Sequence, residues 1–253
     1  MKAAASPSAA LIAGRSPQLY ARIGGSLYLV IILAGLFGEM FVRNAVIVSG
    51  DAAATSANIM QSETLWRLGI TGDLVMQVCD VPSMLILYLL LRPVHRPLAL
   101  LGLLFNLMQS AVLVANKLSL LLPLFLLGGA PYTRAFEPAQ LEALSYIAVK
   151  LHGYGFGVGL IFFGFECVVL GWLIWNSGYF PKAIGALMAI AGACYLVNSF
   201  ALIVAPDVAG TLFPAILVPS FVGELSFCLW LLIRGVNVPR WNERALAAAR
   251  SRP

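Results

Sequence analysis

Six long apolar runs, at about 22–42, 70–91, 98–122, 146–174, 183–204 and 213–233, constrain this chain more than any other feature of it. A bilayer span takes about 20 predominantly apolar residues of helix. Six such runs predict an all-α, polytopic membrane bundle of six transmembrane helices, with short amphipathic helices on its outer face. Composition points the same way: 60% of the 253 residues are apolar and only 11% are Asp, Glu, Lys or Arg, where a soluble domain runs about a quarter charged. Intrinsic disorder, a nucleic-acid module and a secreted disulfide scaffold are excluded. Cys79, Cys167, Cys194 and Cys228 all sit inside apolar runs and read as small packing residues.

The net charge of +5 needs no nucleic-acid partner, because Lys and Arg collect at the cytoplasmic ends of membrane helices. Placing the tails, 92–97 and 175–182 on one side gathers 11 of the 16 Lys and Arg there. Arg43, Arg67 and Arg134 then lie outside, with both termini cytoplasmic. The expected organisation is a tail at 1–20, a membrane domain at 21–237 and a second tail at 238–253. The outer segment from Ser49 to Arg67 reads as a helix capped by Asp51, lying along the interface with Trp66 at headgroup level. Pro138, with Glu137 and Glu142, marks a second outer helix start that continues into the fourth span.

An ionisable side chain in hydrocarbon is costly unless paired, wet or neutralised, so each is a candidate functional group. Counting about 1.5 Å per helical residue from the basic ends puts Asp80 about 18 Å deep and Glu166 and Glu224 about 15 Å deep, near the midplane. Asn106 falls at a similar level. Glu39, Asp73, Asn198 and Lys117 come nearer the outside, with Lys150 and His152 at the outer interface. The pattern predicts an acidic vestibule open to the outside. Asp80 and Glu224 would respond to protons or cations, Asp73 and Glu39 would line the entrance, and Asn106 and Asn198 would be neutral ligands; Glu166 and His152 complete the candidate set. Pro82, two residues past Asp80, is expected to free backbone carbonyls as further ligands. The plainer readings are that Lys117, Lys150 and His152 snorkel to the interface, that Glu39 pairs with Arg43 one turn on, and that Ser83 bonds to its own helix backbone. Gly153/Gly157 and Gly155/Gly159 form small-xxx-small frames for close helix packing.

The only histidines, His95 and His152, fall at opposite ends, so no metal or haem site and no cofactor is expected. Neither a G-x-S-x-G elbow nor a P-loop is present. Several short motifs occur in order: Ala21-Arg22-Ile23-Gly24, Ser49-Gly50-Asp51-Ala52-Ala53-Ala54-Thr55, Leu90-Leu91-Arg92-Pro93-Val94, Leu151-His152-Gly153-Tyr154-Gly155, Ser177-Gly178-Tyr179-Phe180-Pro181 and Gly223-Glu224-Leu225. In these the chain resembles, over about residues 20–237, the bacterial membrane proteins grouped as domain of unknown function 4386. The resemblance implies a bacterial cytoplasmic membrane location and no known activity. It also implies a departure: such proteins resemble Phe-Arg-Leu where this chain has Phe105-Asn106-Leu107, so a charge partner for Asp80 is missing.

Three functions fit these residues. The leading one is a carrier or binding protein for a small polar solute, proton or cation. The others are an intramembrane enzyme using Asp80 or Glu224 as acid or base on a lipid or isoprenoid, and an accessory subunit. Expected partners are membrane lipids, a small solute or cation, and a second copy or another membrane protein.

Overall fold

The computed structural model describes residues 16–250; the tail as far as Arg15 and the last three residues lie outside the described part. Helix α1 (Pro17–Leu36) starts at a Ser16 cap with Pro17 in its first turn, continues as a π-helix over Phe37–Arg43, and ends in one α-turn at Asn44–Val46. There follow α2 (Ala52–Gln61), α3 (Glu63–Leu91), α4 (Arg96–Leu127), a 3-10 turn (Pro131–Ala135), α5 (Pro138–Trp175), α6 (Lys182–Val204), α7 (Pro206–Leu212), α8 (Leu217–Ile233) and α9 (Val238–Arg250). Among the described residues, five helices are long and apolar enough to cross a membrane, and the pair α7 and α8, bent by 57°, makes a sixth when counted as one span. This is a multi-pass membrane protein.

Several boundaries differ from the sequence reading. The outer segment is two helices, because the chain breaks at Ser62 after α2, and α3 already begins at Glu63. Asp51 caps α2 as expected, accepting from the Ala54 amide at 2.8 Å. Trp66 does not lie in the headgroups: it is buried, and its indole donates to the Leu120 carbonyl at 2.8 Å. A tryptophan that finds an acceptor on a neighbouring helix gains more from burial than from the interface. The sixth span does not begin straight at 213, since the chain turns at 213–216 before α8 starts. The segment read as a C-terminal tail is the helix α9, docked through Trp241. Pro138 opens α5 as expected, and the helix runs 38 residues from the outer segment through the span.

The spans form a ring in the order α1, α3, α4, α5, α6, α8, with α8 closing against α1. One end of the bundle carries Arg22, Arg92, Arg96, Lys182, Arg234, Arg240 and Arg244 and is called the basic end. There the main hydrophobic core packs, with Met84, Leu87, Leu173, Met188, Phe227 and Leu231 at its centre. A smaller core of Val42, Ile59, Trp66, Ile70, Leu120 and Leu124 closes the far end.

Glycine sets how closely the main chains approach at the basic half. In the antiparallel α5–α6 hairpin Gly171 faces Gly185 and Gly164 faces Gly192. A Cβ on Gly171 would stand 2.7 Å from both the Ala189 nitrogen and the Gly185 carbonyl. Gly25 of α1 meets the Leu232 amide nitrogen of α8 in the same way, at 2.9 Å, and Gly223 of α8 meets the Leu187 carbonyl of α6 at 2.8 Å. Of the two frames expected to pack, Gly155, Gly157 and Gly159 do so, against Asn116, Leu202 and Leu113, whereas Gly153 faces open space.

The last turn of α3 is held by an unusual acceptor. The Leu90 carbonyl, one of the four that a helix end leaves without an intrahelical donor, takes the Tyr179 hydroxyl at 2.7 Å and the Trp241 indole at 3.0 Å. Burial pushes the Tyr179 hydroxyl up from its ordinary value, so it stays a neutral donor. Tyr179→Phe or Trp241→Phe alone is expected to cost about 1 kcal/mol, since the carbonyl keeps one donor. The double replacement should cost more than the sum, because only then is the buried carbonyl orphaned. A double-mutant cycle on unfolding in detergent measures the excess.

Candidate functional site

Two polar layers lie between the hydrophobic cores. The first is a cavity of about 200 Å³ bounded by all six spans, whose lining includes Asp80 of α3, Glu166 of α5 and Glu224 of α8. No Lys, Arg or His lines it. Asn106 of α4 bridges two of the acids: its amide nitrogen donates to Asp80 Oδ2 at 3.0 Å and to Glu166 Oε1 at 3.5 Å. Ser110, one turn further along α4, donates to the same Asp80 oxygen at 3.0 Å. Glu224 is held by two tyrosines, accepting from Tyr28 at 3.2 Å and from Tyr195 by a short hydrogen bond. The remaining wall is mainly hydrocarbon, with Gln77 and Gln109 as further polar members. From α1 and α8 the lining includes Ile31, Ile32 and the exposed Phe221, beside the Tyr28–Glu224 hydrogen bond.

The second layer is ionic and lies toward the far end. Asp73 Oδ2 accepts from Arg43 Nη1 at 2.7 Å and from Lys117 Nζ at 2.8 Å, and all three side chains are buried. Glu39 binds Arg43 from the other side at 2.7 Å. The π-helix delivers both Glu39 and Arg43, and it needs Gly38 at its closest point: a Cβ there would stand 2.5 Å from Asp73 Oδ1. Phe156 separates the layers, since it lines the cavity and also lies under Lys117, 5.9 Å from ring centroid to Nζ.

Asp80, Glu166 and Glu224 therefore share one cavity, and Asn106 stands in contact with two of them. The other candidates lie elsewhere. Asp73 and Glu39 do not line this cavity: Asp73 is buried in the ionic layer, and Glu39 is exposed beside Arg43. Around Asp73 the arginine- and lysine-bearing helices close in, since a buried carboxylate needs paired cations more than water. Arg43 is in the bundle and not in an outer loop. Lys117 does not snorkel. Glu39 pairs with Arg43 as the plainer reading held. His152 is buried beside the Asn116 amide at 3.0 Å, away from the cavity, and Asn198 is half-buried on α6 and does not line the cavity.

Two local expectations are also corrected. Ser83 reaches the Gly24 carbonyl of α1, at 3.5 Å, in place of its own helix. Helix α3 continues through Pro82, and the carbonyl that loses its donor belongs to Val78, which is 73% exposed on the outer side of the bundle. It supplies no ligand to the cavity.

Tyr28, Tyr195, Gln77, Gln109 and Ser110 escaped the sequence reading. The two glutamines were within reach of it, being polar groups at midspan depth on the helices of Asp80 and Asn106. The tyrosines were not, because a tyrosine in an apolar run reads equally well as an interfacial residue.

Compared with known proteins, residues 23–235 match the family described as Domain of unknown function (DUF4386). The chain belongs to that family. It is also similar to an uncharacterized protein of Archaeoglobus fulgidus, with 28% identity over 166 residues, 66% of this chain and 83% of that one. No solved structure matches. In this DUF4386 chain the Asn106 amide stands where the resemblance implied an arginine, and it satisfies the Asp80 carboxylate by hydrogen bonding without supplying a positive charge.

Proposed function

We propose that this protein is a membrane carrier or binding protein for a small cationic or polar solute, held in the Asp80–Glu166–Glu224 cavity. The observation that carries the reading is a midplane cavity with three carboxyl groups and no basic side chain among its lining residues. Crowded carboxylates at low dielectric cannot all be ionised without a compensating cation or proton, so occupancy is linked to charge. The protein sits in the bacterial cytoplasmic membrane with both termini in the cytoplasm, supported by the clustering of Lys and Arg at the basic end.

One observation favours the intramembrane enzyme as a second reading: the lining from α1 and α8 includes the exposed Phe221, a route for a molecule dissolved in the bilayer. Asp80→Asn and Glu224→Gln separate the two. For a carrier or binding protein, the pair of substitutions is expected to flatten the response of melting temperature to pH and to cations in purified protein, with no substrate converted by the wild type. Wild-type responses in both variants would remove the cavity from consideration. Product formation that stops with Asp80→Asn would establish the enzyme.

A further inference from the structure

Resting on the cavity reading above, the geometry points to a more definite solute, and we infer that it is a protonated organic amine on a short apolar frame. Four features of the cavity define it.

The first is a set of unmet hydrogen bonds. Gln77, Gln109 and Glu166 all line the cavity and are 3%, 5% and 3% exposed. Gln77 Oε1, Gln109 Oε1 and Glu166 Oε2 have no hydrogen-bond partner in the protein, and neither has Gln77 Nε2. Native proteins leave few buried polar atoms unpaired, and each calls for an explanation. Among them the free Glu166 oxygen, in a cavity without a basic side chain, calls for a ligand that donates. An ammonium group has three N–H donors and no acceptor.

The second is the wall. Ile31, Ile32, Leu87, Leu113, Leu160 and Leu170 leave most of the lining as hydrocarbon, which offers nothing to a hydrated inorganic ion. Among the described residues no three His, Cys, Asp or Glu side chains are placed to hold a metal ion. The third is aromatic. Phe163 and Tyr195, both lining residues, stand with ring centroids 5.3 Å apart beside Glu224, and aromatic faces next to a carboxylate attract organic cations. The fourth is what is missing: without Lys, Arg or His in the lining, the carboxylate of an amino acid has no counter-charge, so a zwitterion is disfavoured. A cavity of about 150 Å³ accepts benzene, so about 200 Å³ suits a single-ring or short-chain amine and is too small for a diacyl lipid.

The test is thermal unfolding and calorimetric titration of purified full-length protein in detergent, with phenethylamine as the probe. Its uncharged counterpart ethylbenzene, zwitterionic phenylalanine and sodium chloride serve as comparisons, all at neutral pH. Phenethylamine is expected to raise the melting temperature and to bind at least tenfold more tightly than ethylbenzene or phenylalanine. Glu224→Gln should weaken it at least tenfold, and Glu63→Gln, on an exposed pair far from the cavity, should not. Because a charge change in the bundle can hinder folding, Ile32→Trp provides a second variant: it fills the cavity without altering charge and should abolish phenethylamine binding while the protein still melts cooperatively. Equal binding of ethylbenzene or phenylalanine overturns the amine assignment. A response to sodium or protons alone, lost in Glu224→Gln, overturns it too but leaves the cavity reading intact. No response to any probe, with both carboxylate variants behaving as wild type, overturns both.

Discussion

Asp73→Asn is expected to destabilise the protein by about 3–5 kcal/mol, the cost of removing one partner from a buried ion pair. The amide leaves Arg43 and Lys117 as two buried cations whose common acceptor has lost its charge. Glu39 compensates Arg43 only in part, since its own side chain is 53% exposed. Lys117 fares worse, because Asp73 is its ion-pair partner among the described residues. Lys117→Met should cost less than Asp73→Asn, as Asp73 keeps Arg43. The double variant Asp73→Asn/Lys117→Met should recover a large part of the loss by removing the stranded ammonium. Glu63→Gln, which breaks the exposed Arg67–Glu63 pair, should change stability by less than about 1 kcal/mol. Unfolding of the four variants in detergent, ranked against wild type, checks the order. A loss for Asp73→Asn no larger than that for Glu63→Gln would show that the layer is solvated in the membrane protein.

The second large effect belongs to the α5–α6 seam. Gly171→Ala is expected to cost about 1–3 kcal/mol, because the added methyl would stand 2.7 Å from main-chain atoms of α6 that have no rotamer to change. Gly153→Ala on the same helix meets nothing within 4 Å and should stabilise by about 0.5–1 kcal/mol through helix propensity alone. The same chemical change thus separates packing from helix propensity. Thermal unfolding of the two variants decides it, and a seam that tolerates Ala at 171 would mean the helices are not held at main-chain distance.

How much of this was legible before the structure depends on which coordinate of a helix is asked for. Depth follows from a rise of about 1.5 Å per residue, so Asp80, Asn106, Glu166 and Glu224 could be put at one level by counting. Rotation does not follow from counting, and the two errors of the ligand set come from it. Asn198 has the right kind of side chain but does not line the cavity, whereas Tyr28 and Tyr195 line it and bond to Glu224. The Arg43 error has another cause. Ending the first span at 42 made the next residue a loop arginine, whereas the helix carries on through the π-helical stretch to Val46. Nothing in Phe37–Arg43 as a sequence announces a π-helix; Gly38 marks the close approach only once Asp73 is known to lie against it. Trp66 was misplaced because its partner, a main-chain carbonyl on α4, leaves no sign in composition.

The glycine contacts at Gly25, Gly171 and Gly223 bear on how the proposed solute would reach its cavity. In the basic half these glycines make a floor where helices meet main chain to main chain, and parting them means moving whole segments of backbone. Toward α1 and α8 the obstruction is Ile31, Ile32 and Phe221, which need only turn about single bonds. The floor is masonry and that wall is a curtain. On the proposed reading, exchange through the curtain would proceed at the pace of rotamer changes, whereas delivery through the floor would wait on a rigid-body displacement of helices; in proteoliposomes phenethylamine should then reach binding equilibrium long before any net flux across the bilayer is detected.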